Sequence, residues 1–142
     1  MAFTGNWVCN TFKTGLMNGT FNFTSGTFKI ALYTNAATLD ATTTAYTSTG
    51  EVVASGYTAG GLALTIAQIP TVGQGNGTTA YISFDNAVWT SSLTARGALI
   101  YQTTTGNPAV CVLDFGADKS STNTFTVQFP NPSNTSAIIR IS

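Results

Sequence analysis

Two aspartates in the stretch DFGAD, Asp114 and Asp118, are the best-placed pair of acids in this chain. Paired carboxylates can divide the acid and nucleophile roles of glycoside hydrolysis. The same residues more often hold turns, and Asp118-Lys119 followed by Ser-Ser-Thr-Asn reads as turn chemistry. The chain has no histidine, which removes Ser-His-Asp and Cys-His activation and the commonest metal ligand. Cys9 and Cys111 lie far apart in the chain and offer no zinc-ligand spacing, so both are expected to be free thiols. GYTAGG and GQGNG are rich in glycine, but no helix signal follows either, so neither reads as a phosphate loop. The expectation is therefore a protein that is not an enzyme, with no catalytic residue, no cofactor and no metal.

Three other residues could bind rather than react. Arg96 is one of only five Lys and Arg, and it opens the apolar run of TARGALIY, residues 94–101. Read as a strand, that stretch puts Thr94, Arg96, Ala98 and Ile100 on one face. The arginine stem then lies over small residues while the guanidinium reaches water or a carboxylate. Asp85 is the expected partner, because its strand and that of Arg96 are sequential. This makes Arg96 a structural strand-end residue, with an intersubunit contact as the alternative. Phe3 and Trp7 are two large apolar side chains in a short N-terminal arm, which must dock on its own domain or on a neighbour. Phe3, Trp7 and Arg96 are the candidate protein-interface residues, with Phe3 and Trp7 expected to be exposed.

The elements that position these residues follow from composition and pattern. At 142 residues the chain has the size of one domain, spanning 1–142, and can bury a core without staples. Charged residues are only 7% of it and the net charge is zero. No basic patch is present to neutralise phosphates or to meet a membrane surface, so neither nucleic acid nor membrane is expected as a partner. So little charge gives weak protection against association, which suits a protein that attaches to another protein. The N-terminal stretch has no basic region followed by an apolar run, so a secretory signal is not expected. The sequons at Asn18, Asn22, Asn76 and Asn134 are discounted for that reason.

About one residue in five is Thr, whose branched Cβ suits a pleated strand. NTFKTGLMNG, residues 10–19, predicts one short helix with Asn10 or Thr11 as its N-cap, Phe12, Leu16 and Met17 on one face, and Gly19 as its stop. Residues 1–20 thus form an arm and helix. Strands are expected over 28–34, 62–70 (ended by Pro70), 80–90 with a bend at Asp85-Asn86, 94–102, 109–116, 124–130 and the C-terminal AIIRIS. Residues 35–50 read as a surface loop, and VGQGNGTT (72–79) as a turn. In the strand over 124–130, Phe125, Val127 and Phe129 point inward. The sum is an all-β domain, a β-sandwich or barrel-like fold of about eight antiparallel strands.

The order of FKTGLMNG, FKIALYT, EVVASGYTAGGLALT, AVWTSSLTARGALIY, AVCVLDFG and TFTVQFP resembles that of small virion structural proteins of tailed bacteriophages. The resemblance covers nearly the whole chain, and head decoration (cement) proteins are the members most similar to it. It implies a capsid protein assembled in the host cytoplasm, located on the virion surface, and bound to the major capsid protein. It also implies a homo-oligomer, with a trimer favoured. The resemblance carries over no catalytic residue: Gly56, Tyr57, Gly60, Gly61, Trp89, Arg96 and Gly116 look like fold and turn positions. The arm and the loop at Asn35–Gly50 are the segments expected to reach neighbours. A head-fibre, tail-fibre or tail-tube component is the alternative. A carbohydrate-binding β-sandwich module, with Trp7 or Trp89 as stacking platform, is a further one.

Overall fold

The computed structural model describes residues 3–73 and 77–142 and is all-β apart from one short helix. Met1, Ala2 and the tip of the 72–79 turn lie outside the described residues. The order is β1 (Trp7–Val8), α1 (Asn10–Asn18), β2 (Phe28–Tyr33), β3 (Leu62–Leu64), β4 (Ile66–Val72), β5 (Ala80–Phe84), β6 (Ala87–Trp89), β7 (Thr94–Gln102), β8 (Ala109–Ser120), β9 (Phe125–Val127) and β10 (Ile139–Ile141). All pairings are antiparallel, in sheets ordered β1-β8-β7-β2-β3, β10-β5-β4 and β6-β9. β3 and β4 belong to different sheets and are separated by Thr65, as β5 and β6 are by Asp85-Asn86. Such bends let a chain pass between packed sheets.

The core lies between the five-stranded sheet and the two smaller ones. Ile30, Leu32, Leu99, Ile100, Val110 and Val112 are buried, as are Ile82, Phe84, Trp89 and Ile139. Phe125, Val127 and Phe129 point inward as their alternation requires. Phe23 stacks on Phe28 at 4.5 Å, and Phe84 bridges Phe28 to Phe129. β2 from Ile30 to Tyr33 and β7 from Gly97 to Gln102 are buried at every residue, so both faces of the central strands are covered.

Several local expectations are corrected. Cys9, not Asn10 or Thr11, precedes the helix, and it makes no side-chain cap. Gly19 does close it in the left-handed conformation, φ 78°. Phe12 faces the core, but Leu16 and Met17 do not; Met17 is 82% exposed. Pro70 does not end a strand. It lies inside β4, whose one free edge tolerates the missing N–H. Asp118-Lys119 is not a turn, because β8 continues to Ser120. Ala95 pairs with Lys119 and Gly97 with Asp114, so Phe115–Asp118 bulge out opposite the single Arg96.

The stretch 35–50 is no free arm either. Ala37 and Leu39 are buried, Ala45 bridges Pro108, and the Ala109 N–H donates to the Thr44 carbonyl at 2.9 Å. The segment covers the start of β8, and backbone groups that would otherwise face water pair there.

Candidate functional site

The sequence-predicted residues converge on one corner. Arg96 on β7 pairs with Asp114 on β8, not with Asp85. Asp85 lies in the bend between β5 and β6, and neither strand pairs with β7, which lies between β2 and β8; the Asp85 N–H donates to the Thr65 carbonyl. The Arg96 and Asp114 side chains are 14% and 12% exposed, so the pair is largely shielded from water. The same Asp114 oxygen also accepts the Gly116 N–H at 2.8 Å, inside the bulge.

Phe3 closes this corner from below. Its ring lies under the Arg96 guanidinium, 5.7 Å from centroid to Cζ. It fills the space that a side chain at residue 97 would occupy: a Cβ on Gly97 would stand 2.4 Å from Phe3 Cε1 and 2.5 Å from the Leu113 carbonyl. Phe3 is 2% exposed, which corrects its expected role as an exposed anchor. The arm docks on its own domain. Asn6 then accepts the Asp114 N–H at 2.7 Å, and Trp7 and Val8 pair with Val112 and Cys111. Trp7 remains 40% exposed, its indole N–H donating to Thr4 at 3.1 Å. Trp89 is 3% exposed and cannot serve as a stacking platform.

The second constellation lies in EVVASGYTAGG, whose Gly56, Tyr57, Gly60 and Gly61 read as fold and turn positions but whose Glu51 was not singled out from the sequence. Glu51 is only 7% exposed. Its carboxylate accepts the hydroxyls of Tyr46 at 2.6 Å and Tyr57 at 2.7 Å, and the Gly60 N–H at 2.7 Å. Tyr101 donates to the Gly60 carbonyl and Tyr33 to the Thr47 carbonyl, so four tyrosines surround one acid. The reason is a broken edge. β3 covers β2 from Phe28 to Ile30, and the segment Gly50–Val52 covers Leu32 to Thr34. Residues 53–61 leave the sheet between the two. Gly61 returns at φ 74°, so close that a Cβ would stand 1.8 Å from the Ile30 carbonyl oxygen. Tyr57 hydroxyl fills the gap, accepting the Leu32 N–H at 2.8 Å.

Burial raises the tyrosine hydroxyls. Tyr57 stands well above its ordinary range, from burial first and then its hydrogen bond to the Glu51 carboxylate, with the Leu32 N–H acting the other way. Tyr46 is pushed up to about 12 by burial and by its bond to Glu51. These hydroxyls donate and stay protonated, which suits a structural knot. The spacing Glu51, Gly56-Tyr57, Gly60-Gly61 was the available signal. It describes a residue that leaves a sheet edge, a loop, and a glycine that returns to it.

Both cysteines are free and buried. Burial lifts Cys9 to about 11, and Cys111 rises for the same reason. Among the described residues no three metal-ligating side chains come together, and no helix is long and apolar enough to cross a membrane. No protein-family model, curated protein or solved structure matches the chain.

Proposed function

We propose that this chain is a virion structural protein of a tailed bacteriophage that decorates the outside of the capsid and holds neighbouring shell subunits together without chemistry of its own. The observation that carries this reading is where the scarce charges go. Glu51 is enclosed by tyrosines, Asp114 is taken by Arg96 and Gly116, and Asp40 caps a local turn by accepting the Thr42 N–H at 2.7 Å. These three acids hold the fold, while Trp7, Met17, Val53, Ile69, Val72 and Val88 are exposed large apolar side chains. Exposed large apolar side chains on a surface of low charge suit attachment to another protein. The order of motifs, similar to that of phage head proteins, supports the same reading.

The physical task is plain. Packaged DNA pushes outward on a shell whose subunits meet through finite interfaces. A protein that binds only the assembled shell stabilises it by mass action. Contacts of about 1,200–2,000 Å² would hold each copy in place, and many bridging copies raise the barrier to opening. Counting the chain in purified virions tests the reading. Hundreds of copies per particle are expected. A handful would assign it to a tail or head fibre, and none would remove it from the virion.

A further inference from the structure

Asn-Gly occurs twice in the chain, at Asn18-Gly19 and at Asn76-Gly77, and Asn76 lies outside the described residues. The chemistry of such a pair is a ring closure. The glycine nitrogen attacks the carbonyl carbon of the asparagine side chain, and glycine has no Cβ to crowd the approach. Asn18 is the last residue of α1, and Gly19 closes the helix. Both are exposed, as is Thr20, and a Cβ on Gly19 would meet nothing within 4 Å.

The Asn18 side chain is folded toward that nitrogen. Its Oδ1 accepts the Thr20 N–H at 3.1 Å and the Thr20 hydroxyl at 2.5 Å. A bond to the N–H two residues on swings the amide forward over the intervening peptide, which brings Cγ beside the Gly19 nitrogen. The two donors have a second effect. They polarise the side-chain carbonyl and stabilise the negative oxygen that forms when Cγ is attacked. Position and polarisation together lower the barrier to ring closure. The Gly19 N–H donates to the Gly15 carbonyl, a bond in the last turn of the helix, where ends fray. The Asn18–Thr20 bonds are local and outlast that fraying.

Asn22 shows what the glycine adds. Its Oδ1 also folds forward, accepting the Thr24 N–H at 2.9 Å and the Ser25 N–H at 3.1 Å. Phe23 follows it, however, so a Cβ bearing a buried ring stands beside the nitrogen that would attack.

We infer that Asn18 is a modification site, at which the folded chain deamidates itself. A base in the solvent takes the Gly19 N–H proton, and the nitrogen bonds to Asn18 Cγ. The Cγ–Nδ2 bond breaks, and Nδ2 picks up a proton from solvent and leaves as ammonia. The succinimide so formed takes up one water, which opens it either to an aspartate or to an isoaspartyl linkage through the side chain. The chain has no net charge, so each conversion leaves it with one negative charge. That charge lands at the C-terminal end of α1, where the helix dipole opposes it. The isoaspartyl form also adds a carbon to the main chain near Gly15, which packs so closely that a Cβ there would stand 2.4 Å from the Phe21 ring. Loss of ammonia is one-way, so the converted share records the age of a population of copies. The inference does not rest on the decoration reading.

The experiment holds the purified chain at neutral and at mildly alkaline pH, and follows Asn18, Asn22 and Asn76 separately by peptide mass mapping. Methyltransferase labelling of isoaspartyl groups identifies the product. Asn18 should convert in the native protein, faster at the higher pH, while Asn22 stays intact. Thr20→Val, which removes the hydroxyl donor, should slow conversion severalfold in the folded chain and leave it unchanged in urea. Thr20→Ser should convert at the wild-type rate. A native Asn18 that stays intact while the unfolded chain converts would mean that the bond to Gly15 protects the site, and would overturn the inference. Equal rates for folded Thr20→Val and wild type would overturn the activation by Thr20.

Discussion

The Tyr57 hydroxyl stands between Glu51 and Leu32: it donates to the Glu51 carboxylate at 2.7 Å and accepts the Leu32 N–H at 2.8 Å. One side-chain oxygen thereby repairs a missing rung at the edge of β2. Tyr57→Phe keeps the ring and its stacking on Trp89 but leaves Leu32 and Glu51 each one partner short. An orphaned buried group costs about 1–3 kcal/mol. Urea unfolding should show that loss as a lower midpoint with an unchanged slope.

The Arg96–Asp114 pair gives a sharper contrast. Because both side chains are largely shielded, Arg96→Ala should cost about 3–5 kcal/mol, far more than an exposed strand-end pair. Arg96→Lys should recover only part of this, since an ammonium lacks the forked donors and the broad guanidinium that sits over Phe3. Thermal melts of the two variants rank them. A loss below about 1 kcal/mol for Arg96→Ala would mean that the pair is solvated.

How much of this was legible beforehand divides by range. The all-β class, the helix stop at Gly19, the bend at Asp85-Asn86 and the inward row Phe125, Val127, Phe129 are local, and residue type alone carries them. Strand order is not local. Asp85 looked nearest to Arg96 along the chain, yet Asp114 sits beside it, because β7 pairs with β8 through a bulge that no period-2 pattern announces. The small residue after Arg96 was visible; that it makes room for Phe3 from the arm was not. Glu51 was passed over for the same reason. Its three donors come from residues 46 to 60, in a loop without periodicity, and they meet only once β2 supplies the edge they repair.

Alkali should weaken the fold in a defined window. The Cys9 thiol is raised from an ordinary 9.0 to about 11, and Tyr46 from 10.0 to about 12. Each group binds its proton more tightly folded than unfolded, so its contribution is complete below the unfolded value and is lost as pH rises through the folded one. Stability should therefore decline from about pH 9 to 12. Burial raises the Cys111 thiol from the same ordinary value, so only a variant carrying both Cys9→Ala and Cys111→Ala should begin to decline later, near pH 10, where tyrosine ionises. Urea midpoints taken across this range check the order, with tyrosine ionisation followed by absorbance.

Phe3 and Gly97 should behave as one contact. The ring occupies the space above Gly97, so Phe3→Ala empties the socket and Gly97→Ala fills it, each removing the same packing. Truncation of a buried Phe costs about 3–5 kcal/mol. The Gly97→Ala loss should be similar, because its new Cβ would also press on the Leu113 carbonyl. The double variant should lose clearly less than the two single losses added together, since the ring can be displaced only once. The arm gives a second readout. With Phe3 anchored, β1 lies along β8 and Val8 pairs with Cys111. Burial and a raised thiol then make Cys111 slow toward thiol reagents in the native protein. Loss of the anchor should fray β1, and Cys111 should react under native conditions while the rest of the domain remains folded. Labelling of the folded Phe3→Ala protein at the wild-type rate would show instead that the two-residue ladder and Asn6 hold the arm without the ring.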